Sequence, residues 1–445
     1  MKERKSIGIG LMGLGVVGGG VAKALLEKDK AIAEETGCPL ILRKVLVRNL
    51  SKPRSVEVDP RLLTVDPQGI LADPEINIVI EVIGGEHPAL GYIKQALLNG
   101  KYVVTANKEV IAKHGSQLLE IAQERGVDIL YEASVGGGIP LLLPLKQGLL
   151  ANEISAIYAI INGTTNYILT RMSNEGMSFP VALKQAQELG YAEADASNDI
   201  EGIDAAYKLA ILATVAFHTV VRPEDVYCQG IARLSEHDFR YAKELGYEIK
   251  LLAIAKKGDG SIEARVHPAF IPEDFLLAKV GGVYNAVQIE GDLVGKVLFY
   301  GEGAGALPTS SAIVADVIAA AKGIIQRKEL GTRKWAQGGG DLFLVPRSSF
   351  PVKAIKPTSE LETRYYLRMS VADRPGVLAQ IAKVLGDRSI SISSVIQKEA
   401  DVATKTAEIV IMTHPAREQF MQQALKEMEK LPVVKEICNF IRVEG

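Results

Sequence analysis

The stretch that most restricts this chain is Gly13-Leu14-Gly15-Val16-Val17-Gly18, set between an apolar run from Ile7 to Leu14 and an alanine- and leucine-bearing stretch from Val21 onward. A strand that must pass at once into a helix has few backbone solutions. This glycine spacing is one of them: the first glycine permits the tight turn, the second admits a phosphate close to the backbone, and the third lets helix touch strand. Free N–H groups at the helix start then face a bound anion. The stretch predicts the first unit of an α/β, Rossmann-type domain, with residues 13 to 18 contacting a dinucleotide.

The following residues continue the series. A second strand, Leu40 to Val47, ends at Arg48, Lys52 and Arg54, where a site selective for NAD would carry an acid for the ribose hydroxyls. This basic end favours NADP(H), with NAD(H) possible and a plain solvated basic loop the alternative. Further strands are predicted at Ile78 to Ile83, Tyr102 to Thr105 and Ile129 to Ala133. Ligands of open parallel sheets bind beyond the carboxyl ends of strands, which places Gly84, Thr105 and Lys108 beside the cofactor; for Lys108 the alternative is a lysine that ends a strand for solubility. Glu132, followed by Val135-Gly-Gly137-Gly-Ile139, offers a carboxylate and several carbonyls. That set suits either a hard monovalent cation or a plain hinge.

From about residue 146 the pattern changes. A strand, Ile154 to Ile161, runs into Asn162-Gly163-Thr164-Thr165-Asn166, a turn that feeds a capped helix. Gly190 to Lys208 then gathers Glu193, Asp195, Asp199, Glu201 and Asp204 and delivers one lysine. Past Gly202 the sequence is helical and apolar, so Asp204 and Lys208 share a helix face. A surface ion pair accounts for that spacing. Yet an ion pair at the mouth of a buried helix is costly unless it has partners or a task, so a catalytic or ligand-binding role stands beside it. Strands at Leu251 to Lys256, Ile262 to His267, Ala286 to Gly291 and Val297 to Tyr300 lack helices between them, as antiparallel strands do.

Residues 1–145, completed by a helix over 306–330, therefore read as a dinucleotide-binding domain, and 146–305 as a second domain of α+β type. Residues 331–360 read as a linker. Residues 361–445 follow the order β-α-β-β-α-β, a ferredoxin-like module. A length of 445 residues suits two or three such domains. A net charge of −2 with no basic tract points away from nucleic acid and membrane surfaces. The amino end lacks an apolar signal core, and no stretch reaches the roughly 18 apolar residues that span a bilayer. Cys38, Cys228 and Cys438 show no metal spacing and read as reduced thiols, so a cytoplasmic enzyme is expected.

With Ile161-Asn-Gly-Thr-Thr-Asn-Tyr-Ile168, the Gly190–Lys208 stretch, Thr105-Ala-Asn-Lys108 and Gly301-Glu-Gly-Ala-Gly305, the chain resembles homoserine dehydrogenase of the monofunctional type. Asp373-Arg-Pro375-Gly376-Val-Leu378 resembles an ACT domain. The resemblance implies NAD(P)-dependent interconversion of L-homoserine and L-aspartate 4-semialdehyde, in the pathway to threonine and methionine. It implies Lys208 as proton donor, Lys108 as its partner, and Glu193, Asp204 and Asp199 as acids around the substrate amino group. It also implies cofactor contacts at Gly190 and Gly305, and a sodium-type site at Glu132, Val135, Gly137 and Ile139. An amino-acid effector, threonine expected, would sit near Asp373, Pro375, Gly376, Ile390 and Ile392, and the resemblance makes 146–305 the substrate-binding and dimerisation domain of a homodimer or homotetramer. The family usually has proline where Ala196 stands. Two rivals remain. Aspartate-semialdehyde dehydrogenase would need a cysteine nucleophile; a silent sensor would have no use for both lysines.

Overall fold

The glycine-rich turn lies where a parallel sheet reverses its strand order. In the computed structural model, which describes residues 6–54, 56–258, 260–330, 353–401 and 404–445, the chain forms two compact units. One comprises Met1–Ile154, Tyr207–Pro223 and Glu290–Val352; the other comprises Ser155–Ala206, Glu224–Ile289 and Lys353–Gly445. Most of the linker expected at 331–360 lies outside the described residues.

The first unit holds six strands: β1 (Ile7–Met12), β2 (Leu40–Leu46), β3 (Leu63–Thr64), β4 (Ile78–Glu81), β5 (Tyr102–Thr105) and β6 (Ile129–Leu130), in the order β3-β2-β1-β4-β5-β6. Every pairing is parallel. β1, β4 and β5 are buried throughout, because helices cover both faces of such a sheet. Helix α1 (Val16–Glu27) buries Val21, Ala22 and Leu25. It lies against the long helix Ala306–Leu330 so closely that a Cβ on Gly20 would fall 2.4 Å from Ser310 Oγ.

Two expectations are corrected here. The fifth strand stops at Leu130, because Glu132–Ser134 turn into a 3₁₀ helix, and the two-residue β3 escapes any periodicity argument. The segment Ala306–Arg327, with a mean hydropathy of 1.3, is long and apolar enough to cross a bilayer by length and composition. Its buried Ile313, Val317, Ala320 and Ala321 instead mark a core helix of this unit.

The second unit is built on one continuous sheet. Its order runs Tyr284–Gly291, Ile154–Ile160, Tyr247–Lys257, Ser261–Pro272, Val434–Val443, Glu362–Ala372, Thr406–Thr413 and Ile392–Asp401. The last four belong to the β-α-β-β-α-β module, whose core includes Tyr365, Leu367, Ile381, Ile409 and Met421. The module joins the rest through a short parallel pairing, Ala269 with Arg442 and Phe270 with Val443.

Charged groups are buried at this seam. Arg442 clasps Glu418 with Nε and Nη2 at 2.9 and 2.7 Å. Arg265 donates to Glu444 at 2.7 Å and to Glu263 at 2.6 Å, and its Nε donates to His267 Nε2 at 3.2 Å. Burial, reinforced by the charges of Arg442 and Arg265, pushes His267 down to about 3. The neutral ring then donates from Nδ1 to Pro268 O at 2.9 Å. Nearby, buried Asp238 accepts from Arg368, Tyr366 and Asn439 at 2.8, 3.1 and 2.8 Å.

Burial alone would raise the Glu444 carboxyl, but Arg265 and Lys256 outweigh it and hold it at about 2. A carboxylate with a depressed folded pKa contributes stability that is complete above its unfolded pKa of about 4.5 and is lost as pH falls toward 2. We predict that Glu444→Gln lowers unfolding free energy by roughly 3 kcal/mol near pH 7 and by much less near pH 2.5, as measured by urea denaturation at both values.

Candidate active site

The three glycines of the first turn divide their tasks as the spacing requires. Gly13 has φ of +105°, and a Cβ there would meet Val82 O at 2.8 Å. A Cβ on Gly18 would come within 2.1 Å of Gly13 O. Around Gly15 nothing lies within 4 Å of that position, and no side chain caps α1. The first-turn N–H groups are left for an anion. The surroundings therefore fit a dinucleotide pyrophosphate.

At the end of β2, Arg48 and Lys52 are exposed, whereas Arg54 is tied into its own loop, donating to Lys52 O at 3.0 Å and Asn49 O at 2.6 Å. A cavity of about 490 Å³ is lined by Lys52, Arg54 and residues 56–60.

The carboxyl ends of β4 and β5 are joined by a residue that the sequence did not single out. Glu81, 0% exposed, accepts from Thr105 Oγ1 at 2.7 Å and from Ile83 N–H at 2.7 Å. It thereby shapes the loop bearing Gly84, whose φ is +80°. Its signal was an acid at the end of an apolar strand. Thr105 Oγ1 accepts in turn from Asn107 N–H at 3.0 Å; Asn107 donates to Gly85 O at 2.8 Å and caps the helix Lys108–Arg125 through Val110 N–H at 3.1 Å. Lys108 is thus fixed at the first position of its helix, half-buried. The loop is stapled from outside by Glu86, which accepts from Lys113 and His114 at 2.8 Å each. Hydrogen bonds from Lys113 and His114 hold the Glu86 carboxyl at about 2.

Lys208 is half-buried on the helix Ile203–Phe217. This helix lies beside Lys108–Arg125: Lys113 Nζ sits 5.6 Å from the Tyr207 ring centre, and a cavity of about 280 Å³ is lined by Ile111 and Gly115 from one helix and Ala210, Ile211 and Thr214 from the other. Lys108 and Lys208 both fall in the first unit, on stretches of helix that adjoin there.

The acids belong to the second unit. Asp204, 6% exposed, accepts from Asn162 Nδ2 at 2.9 Å, and Asp199 accepts from the same nitrogen at 2.6 Å. Asn162 therefore holds two like-charged carboxylates together while its Oδ1 caps the helix Gly163–Glu175 through Thr165 N–H at 2.8 Å. The sequence showed Asn162 as a turn residue; its role as a clasp depends on contacts 37 and 42 residues away. Glu193 is exposed, and Gly190 has φ of +74°. Ala196 still starts a helical turn, Ser197–Ile200, with φ of −95°, so the absent proline costs no turn.

Glu132 gives its carboxylate to three N–H groups, those of Leu141, Leu142 and Leu143, at 2.6, 2.8 and 2.7 Å. Its own N–H donates to Asp316 at 2.9 Å. Burial, partly offset by that bond, pushes Asp316 up to about 7. The carbonyls of buried Val135, Gly137 and Ile139 accept no backbone hydrogen bond among the described residues, as a carbonyl-coordinated cation would require. Gly305, with φ of +128°, opens the helix Ala306–Leu330. Among the described residues no group of three or more His, Cys, Asp or Glu could hold a metal.

In the carboxyl module, residues 373 to 376 form an exposed turn into the helix Val377–Asp387, with Gly376 at φ of +86°. Ile390 is buried in the module core and Ile392 packs against it, so their side chains serve packing. Desolvation pushes the Cys228 thiol up to about 11, and Cys38 is buried, which leaves little thiolate for the rival cysteine chemistry.

Fold and site together define a dinucleotide-binding oxidoreductase with an appended ferredoxin-like module. Family models match along the chain: "Homoserine dehydrogenase, NAD binding domain" at residues 13–132, "Homoserine dehydrogenase" at 140–318 and "ACT domain" at 365–433. A homoserine dehydrogenase of Synechocystis sp. is 44% identical over 449 residues, covering 98% of this chain and 99% of its own. The crystal structure of a homoserine dehydrogenase from Thiobacillus denitrificans superposes with a TM-score of 0.90 at 42% identity, covering 99% of each chain. A hyperthermophilic archaeal homoserine dehydrogenase in complex with NADPH matches 71% of this chain and 97% of its own, at 30% identity and a TM-score of 0.60. The chain belongs to the homoserine dehydrogenase family.

The glycines make separable predictions. Gly15→Ala, in extended backbone with open space around it, leaves the melting temperature unchanged and weakens dinucleotide binding by on the order of tenfold. Gly18→Ala lowers the melting temperature as well. Differential scanning fluorimetry and NADPH fluorescence titration distinguish the two.

Proposed function

We propose that this enzyme interconverts L-homoserine and L-aspartate 4-semialdehyde using NADP(H), with Lys208 exchanging the proton at the substrate oxygen. The observation that carries the reading is that Asp204, held together with Asp199 by Asn162, stands one helical turn before Lys208 on the same helix.

A nicotinamide dinucleotide bound over the Gly13–Gly18 turn supplies the hydride acceptor or donor. The remaining work falls to the chain. Lys208 takes the hydroxyl proton as homoserine is oxidised and returns it to the oxygen in the reverse direction. Lys108, held by the Asn107 cap, orients that oxygen and stabilises its developing negative charge. Asp204 and Asp199, with Glu193, receive the substrate ammonium, and Asn162 keeps the first two from separating as their charges repel. Arg48, Lys52 and Arg54 receive the 2′-phosphate of NADP(H). The NADPH complex of the archaeal relative supports that preference, as does the lack of an acid at the end of β2. Gly84, Thr105, Gly190 and Gly305 complete the cofactor surface.

Val135, Gly137 and Ile139 would hold a sodium-sized cation through their carbonyls, with Glu132 supplying negative charge beside them; the open carbonyls favour this. The reading extends to three functional parts, 1–145 with 306–330, 146–305, and 361–445, joined by 331–360 as linker. The ACT domain would bind an amino-acid effector, threonine first, at the turn 373–376 and the backbone near 390–392. The chain would work in the cytoplasm as a homodimer or homotetramer.

Lys208→Ala is expected to lower kcat by on the order of 10² while NADPH binding stays unchanged, in a spectrophotometric assay with homoserine paired with a fluorescence titration. Joint replacement of Arg48 and Lys52 by alanine should raise KM for NADP+ by roughly tenfold and leave KM for NAD+ alone. Equal changes for both cofactors would remove the phosphate assignment.

A further inference from the structure

The turn that carries Asp199 is held from outside by the segment Tyr227–Ile231. Ile231 N–H donates to Ile200 O at 3.0 Å, and a Cβ on Gly230 would lie 2.6 Å from the same oxygen. The segment is anchored on the sheet: Tyr227 and Cys228 pair with Arg265 and Val266, and Gln229 N–H donates to Val266 O at 2.8 Å. At its centre, the Gln229 side chain reaches the carboxyl module, its Oε1 accepting from Arg442 Nη1 at 2.9 Å. The other two guanidinium nitrogens of Arg442 clasp Glu418, the first residue of the helix Glu418–Met428.

We propose that Gln229 is a positioning residue for the substrate carboxylates, tying the Arg442–Glu418 pair of the carboxyl module to the turn that presents Asp199 and, through Asn162, Asp204. Arg442 is 1% exposed and cannot exchange its partners for water. A shift of the Glu418 helix therefore carries the guanidinium with it. Gln229 follows the guanidinium or gives up its bond. Either response reaches Ile200 through two backbone steps, because Gly230 leaves no slack against Ile200 O. The like charges of Asp199 and Asp204 share a single amide nitrogen, so a small displacement of the turn changes how an ammonium group is received.

This inference rests on reading Asp199 and Asp204 as substrate acids, and the test separates the two. Arg442→Met would strip buried Glu418 of its partner and endanger folding, so the informative variants lie at half-buried Gln229. In the full-length enzyme, Gln229→Leu should raise KM for homoserine on the order of five- to tenfold, with kcat within about twofold and KM for NADP+ unchanged. Gln229→Glu keeps an acceptor oxygen for Arg442 and should restore KM close to the wild-type value. Wild-type KM in Gln229→Leu overturns the inference. So does a loss in Gln229→Glu equal to that in Gln229→Leu, or a parallel decline of kcat, both KM values and melting temperature. Asp204→Asn is the control. If it leaves KM for homoserine unchanged, the substrate reading fails; if it raises KM while Gln229→Leu does not, only the positioning role fails.

Discussion

The second unit depends on two arginines buried where charge is hardest to keep. Arg265 and Arg442 are almost wholly withdrawn from solvent, and each is met by a carboxylate from elsewhere in the chain: Glu444, beside the local Glu263, for the first and Glu418 for the second. Such pairs contribute little net stability against well-packed apolar residues, yet removing one partner is severe. Their effect here is on register. Ala269 opposite Arg442 is a short parallel contact. Shifting it by one residue would carry Glu444 away from Arg265 and turn side chains to the wrong sheet face. His267 obeys the same constraint in reverse: it stays neutral because it is wholly buried and because two cations already occupy its surroundings.

Elsewhere buried acids organise backbone. Glu81 gathers a hydroxyl and a backbone N–H at the ends of two strands, and Glu132 gathers three consecutive N–H groups. Both fix loops at the carboxyl edge of the parallel sheet, where irregular chain would otherwise be free to move. The two aspartates beside Asn162 differ in kind: one NH2 group holds two carboxylates side by side, and that arrangement suits a cationic guest.

Much of this was legible before any coordinates. The roles of Gly13, Gly15 and Gly18 are dictated within six residues, so local sterics suffice to assign them. The placement of Lys108 beyond a strand end, and of Asp204 and Lys208 on one helix, follows from periodicity alone. What escaped depends on distance along the chain. The fifth strand ends early because Glu132 binds amides nine to eleven residues later. Asn162 looked like a turn residue because its carboxylate partners are far away in sequence. The fusion of the carboxyl module into the neighbouring sheet rests on a pairing between Ala269 and Arg442, which no local pattern announces.

The sheet of the second unit also sets a timetable. Val434–Val443, the latest of its strands to be synthesised, occupies an interior place between Ser261–Pro272 and Glu362–Ala372. While the chain is still emerging from the ribosome, Glu362–Ala372 presents an open edge, the kind that recruits foreign strands. Ser261–Pro272, already paired with Tyr227–Cys228 and Ala354–Ile355, lacks only its contact at Ala269 and Phe270. Closure must await Val434–Val443, so the nascent chain carries an exposed seam until that strand is released, and shielding by chaperones matters most in that interval.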